Sequence, residues 1–300
     1  GSGADAIHLV RESLTFWTSK SFQLVDGKRE ALSVPPTASI VDAFRGRLVI
    51  RLKEDWTVQG KSFAAGSVVI AEPAALRGGA GRIELVVASA ASIVVQDVDV
   101  VPDGILVTVL DNVRGRLYRF APALNSADGG GWTRQAIPFP DNGSLKVVST
   151  DDDTGDAWVQ HESFTTPPTL YRVPAGKTTA EQIKAQAPTF DGARFEAQQL
   201  WATSADGTKI PYFVVGPKGM KHDGTHPVWM FSYGGFENSL TPAYSGSYED
   251  LKGAYGKLWL ERGGVFVLAN IRGGGEFGPK WHTSVLKEKH YKCFEDFEAV

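Results

Sequence analysis

Cysteine is almost missing from this sequence: Cys293 stands alone among 300 residues. One thiol cannot close an internal disulfide, and no histidine cluster at ligand spacing suggests zinc, so Cys293 reads as a small, half-buried thiol on a helix. Long apolar runs are missing too. Nothing approaches the ~18 residues that span a bilayer, and the opening GSGADAIHLV lacks a basic segment leading into a greasy one. That opening reads as an engineered scar or an internal cut, which leaves the compartment open between cytoplasm and periplasm. Charge of one sign is also scarce. With 31 basic and 34 acidic residues interspersed, the formal net charge of -3 gives no footprint for DNA, RNA or an anionic membrane. Nucleic-acid and membrane partners are therefore not expected. Finally, no Gly-x-Ser-x-Gly nucleophile elbow occurs anywhere.

What is present is a soluble, globular composition, 42% hydrophobic and 22% charged, with length for about two domains of ~150 residues. Up to position 185 the chain reads as short strands. Segments 47–52, 66–72, 82–89, 105–112, 115–121, 157–164 and 169–173 carry β-branched and aromatic residues, often alternating with polar ones. Between them lie turn clusters such as DGK at 26–28, RGGAGR at 77–82, SADGGGW at 126–132 and DNGS at 141–144. Hairpins in series follow. They fit a sandwich or barrel, or a propeller of four-stranded blades; strand-turn-strand units near Ile7, Arg47, Ile93 and Lys146 recur at the spacing of a blade.

After a polar stretch at 174–200 the pattern changes. Residues 198–217 read as a hairpin turning at Asp206-Gly207, and VWMFSYG (228–234) and VFVLANI (265–271) as strands buried on both faces of a parallel sheet. A crossover helix is predicted over 248–262 and a final helix over about 284–300, with Phe294, Phe297 and Val300 on its apolar stripe. The expected division is thus β units over 1–185 and the beginning of an α/β domain over 186–300.

The chemistry-bearing stretches are FSYGGFENSLTPAYS (231–245) and ERGGVFVLANIRGGGEFGPKWH (261–282). Residues 273–278, GGGEFG, also satisfy Gly-x-Gly-x-x-Gly, the dinucleotide fingerprint, with Glu295 near the expected acidic spacing. Pro279, Arg272 and the helical setting of Glu295 argue against that use, and Arg272 and Glu276 are expected to brace the turn. DDDTGD at 151–156 lacks EF-hand spacing and reads as a solvated turn. None of the six histidines has a nucleophile beside it, so none is nominated as a general base.

The two stretches resemble the prolyl oligopeptidase family of serine peptidases, where a Tyr-Gly-Gly-Phe turn and an Arg-Gly-Gly-Gly-Glu-aromatic-Gly turn each leave a strand end. The resemblance extends through Ser204–Thr208, Asp55–Thr57 and Leu110–Arg114. It implies a β-propeller (in part) followed by the N-terminal part of an α/β-hydrolase domain. It also implies that Tyr233 donates to the oxyanion and that Phe236 lines an apolar proline pocket. Serine, aspartate and histidine would lie beyond Val300, and the family's segment ahead of the propeller is not seen, so these 300 residues alone are expected to be inactive. The parent activity implied is cleavage of short peptides after proline through an acyl-enzyme, without metal or organic cofactor, by a monomer. Oligopeptidase B, an acylaminoacyl peptidase and a non-catalytic propeller that binds peptides are the alternatives.

Overall fold

The computed structural model describes residues 6–123, 131–245 and 255–300. Four antiparallel sheets follow one another along the chain. The first joins β1 (Leu9–Ser13), β2 (Ser19–Val25) and β3 (Lys28–Ala31). In the second, β4 (Ser39–Phe44) and β5 (Arg47–Arg51) are followed by a side hairpin of β6 (Trp56–Val58) and β7 (Lys61–Phe63). β8 (Val68–Ala71), the one-turn α1 (Pro73–Leu76) and β9 (Ile83–Val87) then complete it in the order β4-β5-β8-β9. The third holds β10 (Ile93–Val101), β11 (Gly104–Asp111), β12 (Arg114–Pro122) and β13 (Trp132–Ile137) in chain order. The fourth holds β14 (Gly143–Thr150), β15 (Ala157–Ser163), β16 (Thr169–Val173) and β17 (Glu181–Ala185).

Each sheet is a meander, and the first strands of consecutive sheets, β4, β10 and β14, adjoin. This is the blade arrangement of a propeller rather than a sandwich. Apolar side chains between blades supply the core: Val49, Ile70, Val95, Val107 and Val109 form one such layer, each worth roughly 1.5–3 kcal/mol of burial. Most of the turn at 126–132 lies outside the described residues. β17, inside what reads as a polar stretch, is exposed along its length and closes the fourth blade at its outer edge.

The second unit is a sheet in the order β18-β19-β21-β20. β18 (Phe195–Thr203) and β19 (Lys209–Pro217) make the expected hairpin, and Gly207 takes φ 85° at its turn. β20 (Val228–Phe231) runs parallel to β21 (Val265–Ala269). β21 is buried throughout, as its sequence predicts, but β20 is not: Val228 is 58% exposed. The reason is position. β20 is the edge strand, and a cavity of about 380 Å³ opens over the sheet face formed by Tyr212, Val228, Met230 and Val267.

The helices also depart from expectation. Of the crossover, 248–254 lie outside the described residues, and the remainder is α2 (Tyr255–Leu258) followed by a 3₁₀ turn over Leu260–Arg262. In place of one continuous helix over about 284–300 the chain forms a 3₁₀ turn over Lys287–Lys289 and then α4 (Tyr291–Ala299), with the short α3 (Pro279–Thr283) ahead of them. Lys287 at φ 55° breaks the run. The buried face of α4 is Cys293 and Asp296, while Phe294 is 62% exposed. Cys293 is accordingly buried rather than half-buried, its thiol donating to Arg272 O at 3.2 Å. No helix among the described residues is long and apolar enough to cross a membrane.

The two units share a core. The β11–β12 turn, Asn112 and Val113, pushes Val113 among Phe164, Phe195, Phe213 and Phe266, and Gln199 Nε2 donates to Asn112 O at 2.6 Å. Val113 is fully buried at φ 69°, a left-handed backbone that a β-branched residue rarely adopts.

Candidate active-site turns

Because β20 and β21 are parallel, the chain leaves both at the same end of the sheet, where open α/β sheets place their ligands. Two turns arise there, 232–240 after β20 and 270–278 after β21. They are in backbone contact. A Cβ on Gly273 would sit 2.2 Å from Gly234 O, and one on Gly275 2.3 Å from Glu237 O, so glycine is the only residue that lets the turns close on each other. Glu237 N donates to Gly273 O at 3.3 Å, and Gly273 N to Trp281 O at 3.0 Å.

A buried polar triad joins the turns. Glu276 Oε1 accepts from Leu240 N at 2.9 Å and from Asn270 Nδ2 at 3.3 Å, and Asn270 Nδ2 also donates to Leu240 O at 2.7 Å. Glu276 is 1% exposed. Burial pushes its carboxyl up to about 7 against the hydrogen bonds from Leu240 and Asn270. Among the described residues Glu276 Oε2 and Asn270 Oδ1 have no hydrogen-bond partner.

Arg272 makes the second brace. Its guanidinium holds fully buried Asp296 on α4 through Nη2 at 2.6 Å and Nε at 2.9 Å, and Asp206 in the β18–β19 hairpin through Nη1 at 2.7 Å. Arg272 N also donates to Asp296 Oδ2 at 3.0 Å. Lys292 adds to the hold on Asp206 at 2.8 Å. The hydrogen bonds from Arg272 and Lys292 draw the Asp206 carboxyl far below the ordinary range, and those to Asp296 and Asp206 raise Arg272. Arg272 and Glu276 thus brace the turn, as their sequence setting suggests.

Tyr233 and Phe236 stand free of this network. Tyr233 is 50% exposed, and its hydroxyl has no hydrogen-bond partner among the described residues. Gly234, at φ 61°, carries the backbone around it, with Ile271 and Arg272 O too close for any side chain. Phe236 is 67% exposed and, like Glu237, left-handed, at φ 54° and 56°; each such non-glycine residue costs ~1–2 kcal/mol.

Sequence reasoning missed His282, whose Nδ1 lies 2.7 Å from Gly273 O and 3.3 Å from Glu237 N; carrying its proton there, it donates to Gly273 O. It also missed Asp296, Asp206 and Asn270. His161 is buried, with Nε2 on Pro140 O at 3.2 Å, and His8 lies just before β1. The glycine run cannot cradle a pyrophosphate: its backbone is occupied by the neighbouring turn, and the helix that follows, α3, has five residues. In DDDTGD, Asp151 Oδ1 accepts from Asp153 N and Thr154 N at 2.9 Å, a turn as expected. Among the described residues no group of three or more His, Cys, Asp and Glu is placed to hold a metal ion.

The blades match the N-terminal β-propeller domain of prolyl oligopeptidase over residues 8–186. The chain belongs to the prolyl oligopeptidase family. Residues 254–300 match the family's peptidase domain, so the fold is that of propeller blades followed by the first elements of an α/β-hydrolase domain, in a family of serine peptidases. An uncharacterized peptidase of Sinorhizobium fredii is 36% identical over 278 residues, 92% of this chain and 37% of that protein. The prolyl endopeptidase of Elizabethkingia meningoseptica is 34% identical over 173 residues, 58% of this chain and 23% of the relative. A post-proline cleaving enzyme from Rickettsia typhi superposes with a TM-score of 0.84 at 27% identity, over 99% of this chain and 42% of that one. The chain therefore spans well under half the length of the relatives it matches.

Proposed function

We propose that this chain is part of a serine peptidase that cleaves short peptides on the carboxyl side of proline through an acyl-enzyme. The observation that carries the reading is Tyr233. It projects half-exposed, its hydroxyl without a partner among the described residues, from the carboxyl end of a strand in a doubly braced turn. Attack of a serine oxygen on a scissile carbonyl moves an electron pair onto the carbonyl oxygen. A preorganised O–H donor facing that oxygen lowers the barrier by ~3 kcal/mol, because it does not reorient as the charge forms. Phe236, exposed three residues on, offers an apolar face for a proline ring. The similarity to enzymes named for prolyl cleavage supports the substrate class, and the blades would restrict access to short peptides. We divide the chain at 185/186, supported by the gap between β17, ending at Ala185, and β18, beginning at Phe195.

The 300 residues hold no Gly-x-Ser-x-Gly elbow, so alone they should neither hydrolyse peptides nor react with a fluorophosphonate probe. In the complete enzyme, Tyr233→Phe is expected to lower kcat by ~10²–10³ with KM nearly unchanged. An unchanged kcat would remove Tyr233 from the oxyanion site.

A further inference from the structure

We propose that Lys53 of the propeller is a positioning residue for the Phe236–Glu237 turn, fixing through the Glu237 carboxylate the backbone that aims Phe236. Its consequence for specificity rests on the reading of Phe236 given above; the positioning itself rests on geometry.

Lys53 lies two residues beyond β5, and its Nζ sits 2.7 Å from Glu237 Oε2, with the two side chains 30% and 14% exposed. The ammonium also lies 5.3 Å from the centre of the Trp17 ring, within cation–π range. Trp17 in turn stands 5.9 Å from the ring of His282, the residue that donates to Gly273 O. A further propeller residue reaches the same turn: Gln96, with Nε2 3.5 Å from Ser239 Oγ and its own carbonyl accepting from Arg51 Nη1 at 3.0 Å.

What these groups hold is a backbone that does not hold itself. Phe236 and Glu237 are consecutive non-glycine residues in the left-handed region, a conformation that persists only where the surroundings over-determine it. The turn's own backbone contributes a long 3.3 Å bond from Glu237 N to Gly273 O and one from Asn238 N to Gly235 O at 3.0 Å. The only ion pair on the turn comes, among the described residues, from the propeller. The direction of Phe236 therefore depends on a lysine 184 positions before Glu237 being in place.

Hydrogen exchange followed by mass spectrometry tests this without turnover. Lys53→Met and Glu237→Gln are each expected to speed exchange of the amides at 236–238 by about two- to fivefold while the 204–208 hairpin keeps its native rate. Lys53→Arg should restore most of the protection, and so should the swapped pair Lys53→Glu with Glu237→Lys. Native exchange at 236–238 in both single variants would overturn the proposal. So would an equal rise at 204–208, which reports general destabilisation instead. In the complete enzyme Lys53→Met should raise KM for post-proline substrates about threefold with kcat little changed, as expected when ground-state and transition-state binding are lost together. Absence of hydrolysis by the unsubstituted complete enzyme would count against the peptidase reading and leave the positioning to be judged on exchange.

Discussion

At the residue scale the most consequential group is Glu276. Its carboxyl has an ordinary value of 4.5 and is pushed up to about 7 by burial, so between those values the folded protein keeps a proton that the unfolded chain has released. Binding more protons when folded, the protein loses stability as pH rises through this window, and below it the group has no effect. The full loss is about 3 kcal/mol above pH 7. Glu276→Gln keeps an acceptor for Leu240 N and Asn270 Nδ2 and carries no titrating proton. It is expected to flatten the fall between pH 4.5 and 7 and to raise stability at pH 8, as read by urea midpoints across that range. Equal slopes for both proteins would show that Glu276 does not hold the proton. The same scale shows what a sequence conceals. Tyr233 and Phe236 are legible because their motif is contiguous, whereas Asp296, Asp206 and Lys53 meet the site from positions 24, 66 and 184 residues away. Local patterns carry no record of such pairs.

At the element scale α4 is fastened to the sheet by charge as much as by apolar surface. Asp296 is fully buried beneath Arg272, and removing one partner of such a pair leaves the other desolvated. Asp296→Asn is expected to cost about 3 kcal/mol in a chemical denaturation experiment, with Asp206→Asn, at the more exposed end of the same guanidinium, costing less. Strands of the blades were legible from alternation and turn residues because both are local. The helical end was not. Phe294, Phe297 and Val300 have the spacing of a stripe, yet the face that is buried is set by the Asp296–Arg272 pair and by Cys293. In the same way an apolar run such as 228–231 cannot announce that it occupies a sheet edge, where one flank stays open.

At the scale of the whole molecule, the contacts between the units differ in kind. Around Val113 the joint is aromatic and dry; around Lys53 it is polar, and a cleft of about 320 Å³ between Ser89, Val94, Phe277 and Lys280 lies between the units. The dry joint should make the blades and the second sheet unfold together. A single calorimetric transition is expected, and Val113→Ala, by emptying the site among the phenylalanines, should lower stability by about 2 kcal/mol. Two separate transitions in the unsubstituted protein would show that the joint does not couple them.

The Asn112–Val113 turn also constrains how such molecules can diversify. A key-and-socket of this sort makes a propeller the companion of one hydrolase sheet, since Val113 fits only where Phe164, Phe195 and Phe213 leave room. Exchange of blades between relatives would then succeed when turn and socket travel together, and a chimera that parts them would inherit a void on one side and a misplaced apolar side chain on the other.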